Sequence, residues 1–173
     1  MNTFLDLGTK KKHAGFLLFF LFACVLLAMA QPVSWMSLRN AQKQASENNM
    51  KVMLFAEADW CQYCQRMHKQ VFPNKSVQDS LKKYFYPVSL DVESDQKVIF
   101  NGRKVTQRAL ARKFRVSGTP TTIFIDSDGK ILGKQPGFLR SEIFDKLLAY
   151  VGAERYKDES FKEYLDKLNI EVH

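Results

Sequence analysis

Only three of the 173 residues are cysteine, Cys24, Cys61 and Cys64, so no disulfide-stapled secreted scaffold can be built and the core must be held by packing. Five Pro and eight Gly exclude collagen-like and linker-dominated chains, and a 46% hydrophobic content excludes disorder. The length suits one globular domain and is short for two well-cored ones. Internal repeats and low-complexity linkers are missing as well. The charge of +8, from 26 Lys+Arg against 18 Asp+Glu, lacks the aromatic interleaving of a nucleic-acid surface. Its basic residues are spread along the chain as a solvated face is, so nucleic acid is not an expected partner.

Charge is missing altogether from Ala14 to Ala30, a run of 17 residues preceded by Lys10, Lys11, Lys12 and His13 and ending in Ala28-Met29-Ala30. Basic stretch, apolar stretch and small residues at the last and third-last positions are the order of an export signal. Residues 1–30 are therefore expected to be a signal peptide cleaved after Ala30, with an uncleaved membrane anchor as the alternative, because the run is just short of a comfortable span. Both place the rest of the chain outside the cytoplasm, in the periplasm. Cys24 does not fit a lipoprotein site, since Phe22 is bulky and the run continues past it. The mature chain would carry 23 Lys+Arg against 17 Asp+Glu, about +6.

Along residues 31–173, Trp35, Leu38, Ala41 and Ala45 recur at helical spacing between Ser34 and Asn49. Residues 51–56 form an apolar run of strand length, apolar on both faces, as a central covered strand would be. Residues 65–72 are helical in composition until Pro73, and a second helical segment follows over 76–83. A strand is expected over 85–92. Asn101-Gly102 between strand-like pieces predicts a small inserted hairpin with a type I′ turn. Thr106 caps a helix over 107–114, residues 121–125 and 130–133 form a second hairpin, and helices over 141–151 and 158–168 close the chain. The class is α/β, a central sheet flanked by helices.

With the signal removed, Cys61 and Cys64 are the only cysteines in an exported chain, free to pair with each other or with another molecule. Just after a strand and at the start of a helix, a thiol meets free N–H groups and the positive end of the helix dipole, which favour the thiolate. Cys61 is the expected attacking sulfur, and Cys64 the thiol that resolves the mixed disulfide. C-x2-C-x3-H at Cys61, Cys64 and His68 offers a rival reading, a zinc or cuprous copper site needing Met67 or a partner as a further ligand. A solvated helix position is the ordinary reading of His68. Haem attachment is excluded, since Gln65 follows Cys64.

Trp60-Cys61-Gln62-Tyr63-Cys64 after an apolar strand, with Gly118-Thr119-Pro120 before a hairpin far downstream, resembles the thioredoxin family over roughly residues 35–151. The inserted hairpin and the extension from Tyr156 are similar to exported thioredoxin-like proteins linked to bacterial sulfur oxidation. The hairpin and the long spacing that holds it are similar as well to the C-terminal domain of transmembrane disulfide reductases. The resemblance implies a thioredoxin-like mixed sheet with a C-terminal helix over about 158–169. It implies a redox-active Cys61–Cys64 disulfide, a cis-proline at Pro120 facing it, and Trp60, Thr119 and Pro120 as substrate-binding residues. Trp60 as a plain core aromatic is the alternative. Thioredoxins usually carry a buried Asp six positions before the first cysteine, and here that position is Phe55. Glu57, on the same side of the strand, either replaces it as a proton relay or is an ordinary exposed carboxylate. The function implied is an exported thiol-disulfide oxidoreductase, a reductase exchanging two electrons with disulfides and thiols of partner proteins, fed by a membrane disulfide reductase. It would work as a monomer, without cofactor or metal. A disulfide-forming oxidase or isomerase is the alternative direction, since Gln62-Tyr63 supplies neither the His of strong oxidants nor the Gly-Pro of the most reducing thioredoxins.

Overall fold

Every residue of the first strand except its last is buried, and successive side chains feed two different cores. A computed structural model describes residues 33–170, all within one compact unit, Pro32–His173. The expected signal and its cleavage point lie outside the described residues. Among the described residues no helix is long and apolar enough to cross a membrane.

Strand β1 (Lys51–Glu57) is central in a four-stranded sheet of order β2-β1-β5-β6. It runs parallel to β2 (Phe85–Asp91) and antiparallel to β5 (Thr121–Ile125), which in turn pairs antiparallel with β6 (Ile131–Pro136). The sheet is mixed and covered by helices, as expected. Alternation along β1 sends Met53 and Phe55 into one core and Val52, Leu54 and Ala56 into the other. Pro87 lies within β2, where a missing N–H is tolerated because β2 is an edge strand; its carbonyl accepts from Met36 N at 3.1 Å.

Helix α1 (Leu38–Asn48) starts four residues later than its apolar spacing predicts, because the Ser37 side chain caps it by accepting from Asn40 N. Trp35 therefore stands outside the helix and packs on Phe55 and Phe72 at ring distances of 6.2 and 5.1 Å. After β1 come α2 (Gln62–Arg66) and, continuing it, a wider π-helical turn, Met67–Val71, in which Phe72 N–H reaches back to Met67 O. Pro73 ends this segment as expected. Helix α3 (Lys75–Tyr84) is capped by Asn74 and leads into β2. Strands β3 (Lys97–Phe100) and β4 (Arg103–Thr106) form a separate two-stranded sheet, the inserted hairpin. Asn101 and Gly102 at its tip have φ of 47° and 75°, the left-handed pair a type I′ turn requires.

Thr106 caps α4 (Gln107–Lys113) by accepting from Ala109 N. Strand β6 extends to Pro136, past the Gly133 expected from composition. Helix α5 (Ser141–Gly152) packs on α3, with no room for a side chain at Gly152, since a Cβ there would lie 2.3 Å from the Tyr84 ring. The predicted helix over 158–168 is the shorter α6 (Phe161–Lys167), which begins at a capping box between Ser160 and Glu163 and is preceded by a 3-10 turn, Arg155–Lys157. Lys51, a buried cation at the start of β1, is neutralised by Glu154 at 2.9 Å. Hydrogen bonding from Lys157 and then from Lys51 pulls that carboxyl down to about 2.

Candidate active site

The site forms where β1 ends and turns into α2. Cys61 is the N-cap residue of α2, and its Sγ accepts the Cys64 backbone N–H at 3.1 Å. The two cysteines are joined as a disulfide with Cα atoms 5.2 Å apart, the oxidised form of the pair. Once reduced, a thiolate on Cys61 would keep that N–H and the free amides of the first helical turn, the arrangement that lowers a thiol pKa. Cys61 is almost as buried as Cys64, at 3% and 1% exposure, so a partner sulfur must approach along a narrow opening.

That opening is framed by exposed aromatics. Trp60 is 66% exposed and Tyr63 59%, so Trp60 is not a core aromatic. Its indole N–H donates to Glu93 Oε2 at 3.1 Å, holding the ring beside the site. Tyr63 lies against Phe138 at 6.0 Å, and Arg66 stacks its guanidinium over the same Phe138 ring at 4.4 Å.

The Thr119–Pro120 peptide is cis. Thr121 pairs with Ala56 across the β1–β5 ladder, so the chain at Thr119 and Pro120 passes the end of β1 that leads into Cys61. Pro120 is buried, and its carbonyl accepts from Gly137 N at 2.8 Å. Thr119 Oγ1 is buried with no hydrogen-bond partner among the described residues.

Phe55 occupies the place of the carboxylate that the resemblance would put there. It is fully buried, with its ring edge-on to Phe72 at 4.9 Å and to His68 at 5.6 Å. Glu57 is not an ordinary exposed carboxylate. Its side chain is 19% exposed, it bonds His68 Nε2 at 2.6 Å, and it accepts from the Ser89 hydroxyl. Alternation puts Glu57 on the Phe55 face of β1, and the turn after Cys64 lays His68 over that face. His68 is thus engaged by Glu57, with its side chain 37% exposed. Among the described residues no three Cys, His, Asp or Glu side chains gather as a metal-binding group, and Met67 is buried in the core. Glu57, His68 and Cys64 instead line one cleft of about 290 Å³, together with Asp59, Ser89 and Asp91. The Glu57–His68 contact escaped the sequence reading because the partners sit 11 residues apart on different elements, with no spacing rule to connect them.

A family profile described as a thioredoxin-like domain matches residues 38–152. The chain is 33% identical over 95 residues to the thiol:disulfide interchange protein DsbD of Pectobacterium atrosepticum, covering 54% of this chain and 15% of that protein. It is 26% identical over 112 residues to the disulfide bond reductase DsbH of Chlamydia pneumoniae, covering 62% and 67% respectively. The chain thus spans a small part of the DsbD proteins. Among solved structures, a thioredoxin from Thermus thermophilus matches with a TM-score of 0.56 at 27% identity, over 70% of this chain and 88% of that one. A thioredoxin-fold protein from Helicobacter pylori matches with 0.61 at 24% identity, over 70% and 81%, which concerns the fold alone.

Proposed function

The chain belongs to the thioredoxin-like domain family, and from that membership we propose that it is an exported thiol-disulfide reductase acting on disulfides of partner proteins. The observation that carries this reading is the Cys61–Cys64 pair at the cap of α2, with Cys61 Sγ held by a backbone N–H. Reduced Cys61 attacks a partner disulfide to give a mixed disulfide. Cys64 then attacks Cys61 Sγ and releases the partner as a dithiol. Two electrons and two protons pass to the partner, and the pair becomes the disulfide seen here.

Trp60, Thr119 and Pro120 serve as the substrate-binding residues. The exposed indole of Trp60 covers one side of the approach, while the backbone at Thr119 is offered to an extended partner segment. The reducing direction is supported by the DsbH relative, a disulfide bond reductase by name, and by a motif without the cationic His that makes strong oxidants. Export is supported by the order of residues 10–30, with cleavage after Ala30 and residues 31–173 as the mature protein. Re-reduction calls for an electron donor, and the resemblance to the C-terminal domain of transmembrane disulfide reductases points to one on the membrane.

The test is the state of the two thiols in cells. Rapid acid quenching followed by alkylation is expected to find Cys61 and Cys64 mainly reduced, in a chain recovered outside the cytoplasm. Only a fed reductase stays reduced in an oxidising compartment. A chain found wholly disulfide-bonded there would point to the oxidase direction, and a cytoplasmic chain would remove the export reading.

A further inference from the structure

A resolving thiol buried as deeply as Cys64, at 1% exposure, cannot act until it has lost its proton. An ordinary cysteine is only a few per cent thiolate at pH 7, and burial in apolar surroundings lowers that fraction further. Phe55 fills the usual place of a buried acid and has no proton to exchange. The cleft that Cys64 lines holds four titratable groups, Glu57, Asp59, His68 and Asp91.

We propose that His68, oriented by Glu57, is the base that takes the proton from Cys64 as it resolves the mixed disulfide. This rests on the reading of Cys61 as attacking thiol and Cys64 as resolving thiol. His68 stands in the π-helical turn that continues the helix of Cys64, and both residues line the same cleft. His68 Nε2 lies 2.6 Å from Glu57 Oε2. An ionised carboxylate can only accept, so Nε2 carries the hydrogen, and the basic lone pair of the neutral ring is on Nδ1.

Glu57 is the positioning residue. One of its oxygens receives the imidazole and the other the Ser89 hydroxyl, so the carboxylate is fixed from two elements. The His68 ring is set in place by Trp35, Phe55 and Phe72, at ring distances of 5.7, 5.6 and 5.2 Å. Phe55 thus supports the base in place of being one. The other titratable groups lining the cleft are Asp59 and Asp91, and no Lys or Arg lines it. The proton received by the ring would leave it hydrogen-bonded to the Glu57 carboxylate. In the step itself the Cys64 proton passes to Nδ1 and the Cys64–Cys61 S–S bond forms. The Cys61–partner S–S bond breaks, and the departing partner thiolate takes up a proton, from His68 or from water. The dithiol is oxidised by two electrons and the partner disulfide is reduced by two.

The test is single-turnover reaction of the reduced full chain, in detergent, with a chromogenic bis(nitrobenzoate) disulfide, for the wild type and for His68→Gln. The first nitrothiolate release reports attack by Cys61, and the second reports resolution by Cys64. Gln keeps a polar group for Glu57 but cannot take a proton. The expected result is that the ratio of second to first rate falls about 100-fold at pH 7 in His68→Gln. The two proteins should converge toward strongly alkaline pH, where hydroxide from solvent can take the Cys64 proton in place of His68. An unchanged ratio, or a fall of the same size at every pH, overturns the proposal. Glu57→Gln provides a second reading should His68→Gln not fold: the wild-type inflection of the second phase should move to lower pH, because the imidazolium has lost its carboxylate, and an unmoved inflection overturns the proposal. Absence of both releases from the wild-type dithiol would instead remove the Cys61 and Cys64 assignments, and the proposal with them, so the two failures are distinguishable.

Discussion

Cys64→Ser leaves a protein that attacks one partner disulfide and then stops. Serine cannot displace sulfur from the mixed disulfide, so turnover with insulin as the disulfide substrate should fall on the order of 10³-fold or more. The chain should accumulate as a covalent adduct through Cys61 that dithiothreitol dissolves. Cys61→Ser should lose the same turnover and form no adduct, since the remaining thiol sits a turn further in and at 1% exposure. The two variants differ in what accumulates rather than in how much activity remains, and a non-reducing gel distinguishes them. Turnover by Cys64→Ser at the wild-type level would show that an outside thiol resolves the intermediate.

The largest effect on stability is expected at Phe55. Its ring is fully buried and makes edge-on contacts to Phe72 at 4.9 Å and to His68 at 5.6 Å. Truncation to Ala removes this packing and leaves a cavity that β1, paired on both sides, cannot collapse to fill. The loss should be about 3–5 kcal/mol, a large part of the roughly 5–15 kcal/mol that holds a domain folded. Phe55→Asp, which installs the acid usual in thioredoxins, should cost more. A carboxylate there would sit among the rings of Trp35, Phe72 and His68, with its desolvation poorly offset. Urea midpoints with an unchanged slope measure both. A loss under about 1 kcal/mol for Phe55→Ala would mean that the aromatic cluster is not a structural unit.

The elements most legible in the sequence are those with local causes. Asn101-Gly102 specifies a two-residue turn by its conformational tolerance alone, and the hairpin forms there with both residues at positive φ. The apolar run in β1 marks a strand covered on both faces, and Pro73 ends a helix because proline must. Boundaries set by side-chain caps were harder to place. Ser37 moves the start of α1 past Trp35, and the capping box of Ser160 and Glu163 starts α6 at Phe161, although S-x-x-E stands in the sequence to be seen. Of the site, the cysteines were legible from their spacing after a strand, and the Thr119-Pro120 segment only through the resemblance to the thioredoxin family. The engagement of Glu57 by His68 and Ser89 was not. It arises only when β2 aligns beside β1 and the turn after Cys64 folds over the same face, and tertiary alignment of this kind has no period in the chain.

Trp60 and Glu57 share a feature: polar contacts hold groups around the disulfide that composition alone would leave free. Trp60 is exposed yet tethered to Glu93, and Glu57 is half-buried and doubly bonded.

The most direct test of the central claim is the equilibrium reduction potential of the Cys61–Cys64 pair, measured against glutathione and dithiothreitol series by the fluorescence of the tryptophans. A reductase acting on partner disulfides should lie near the thioredoxin end of the scale, roughly −270 to −200 mV, whereas a value near −120 mV would make the chain an oxidant of its partners and contradict the direction proposed here.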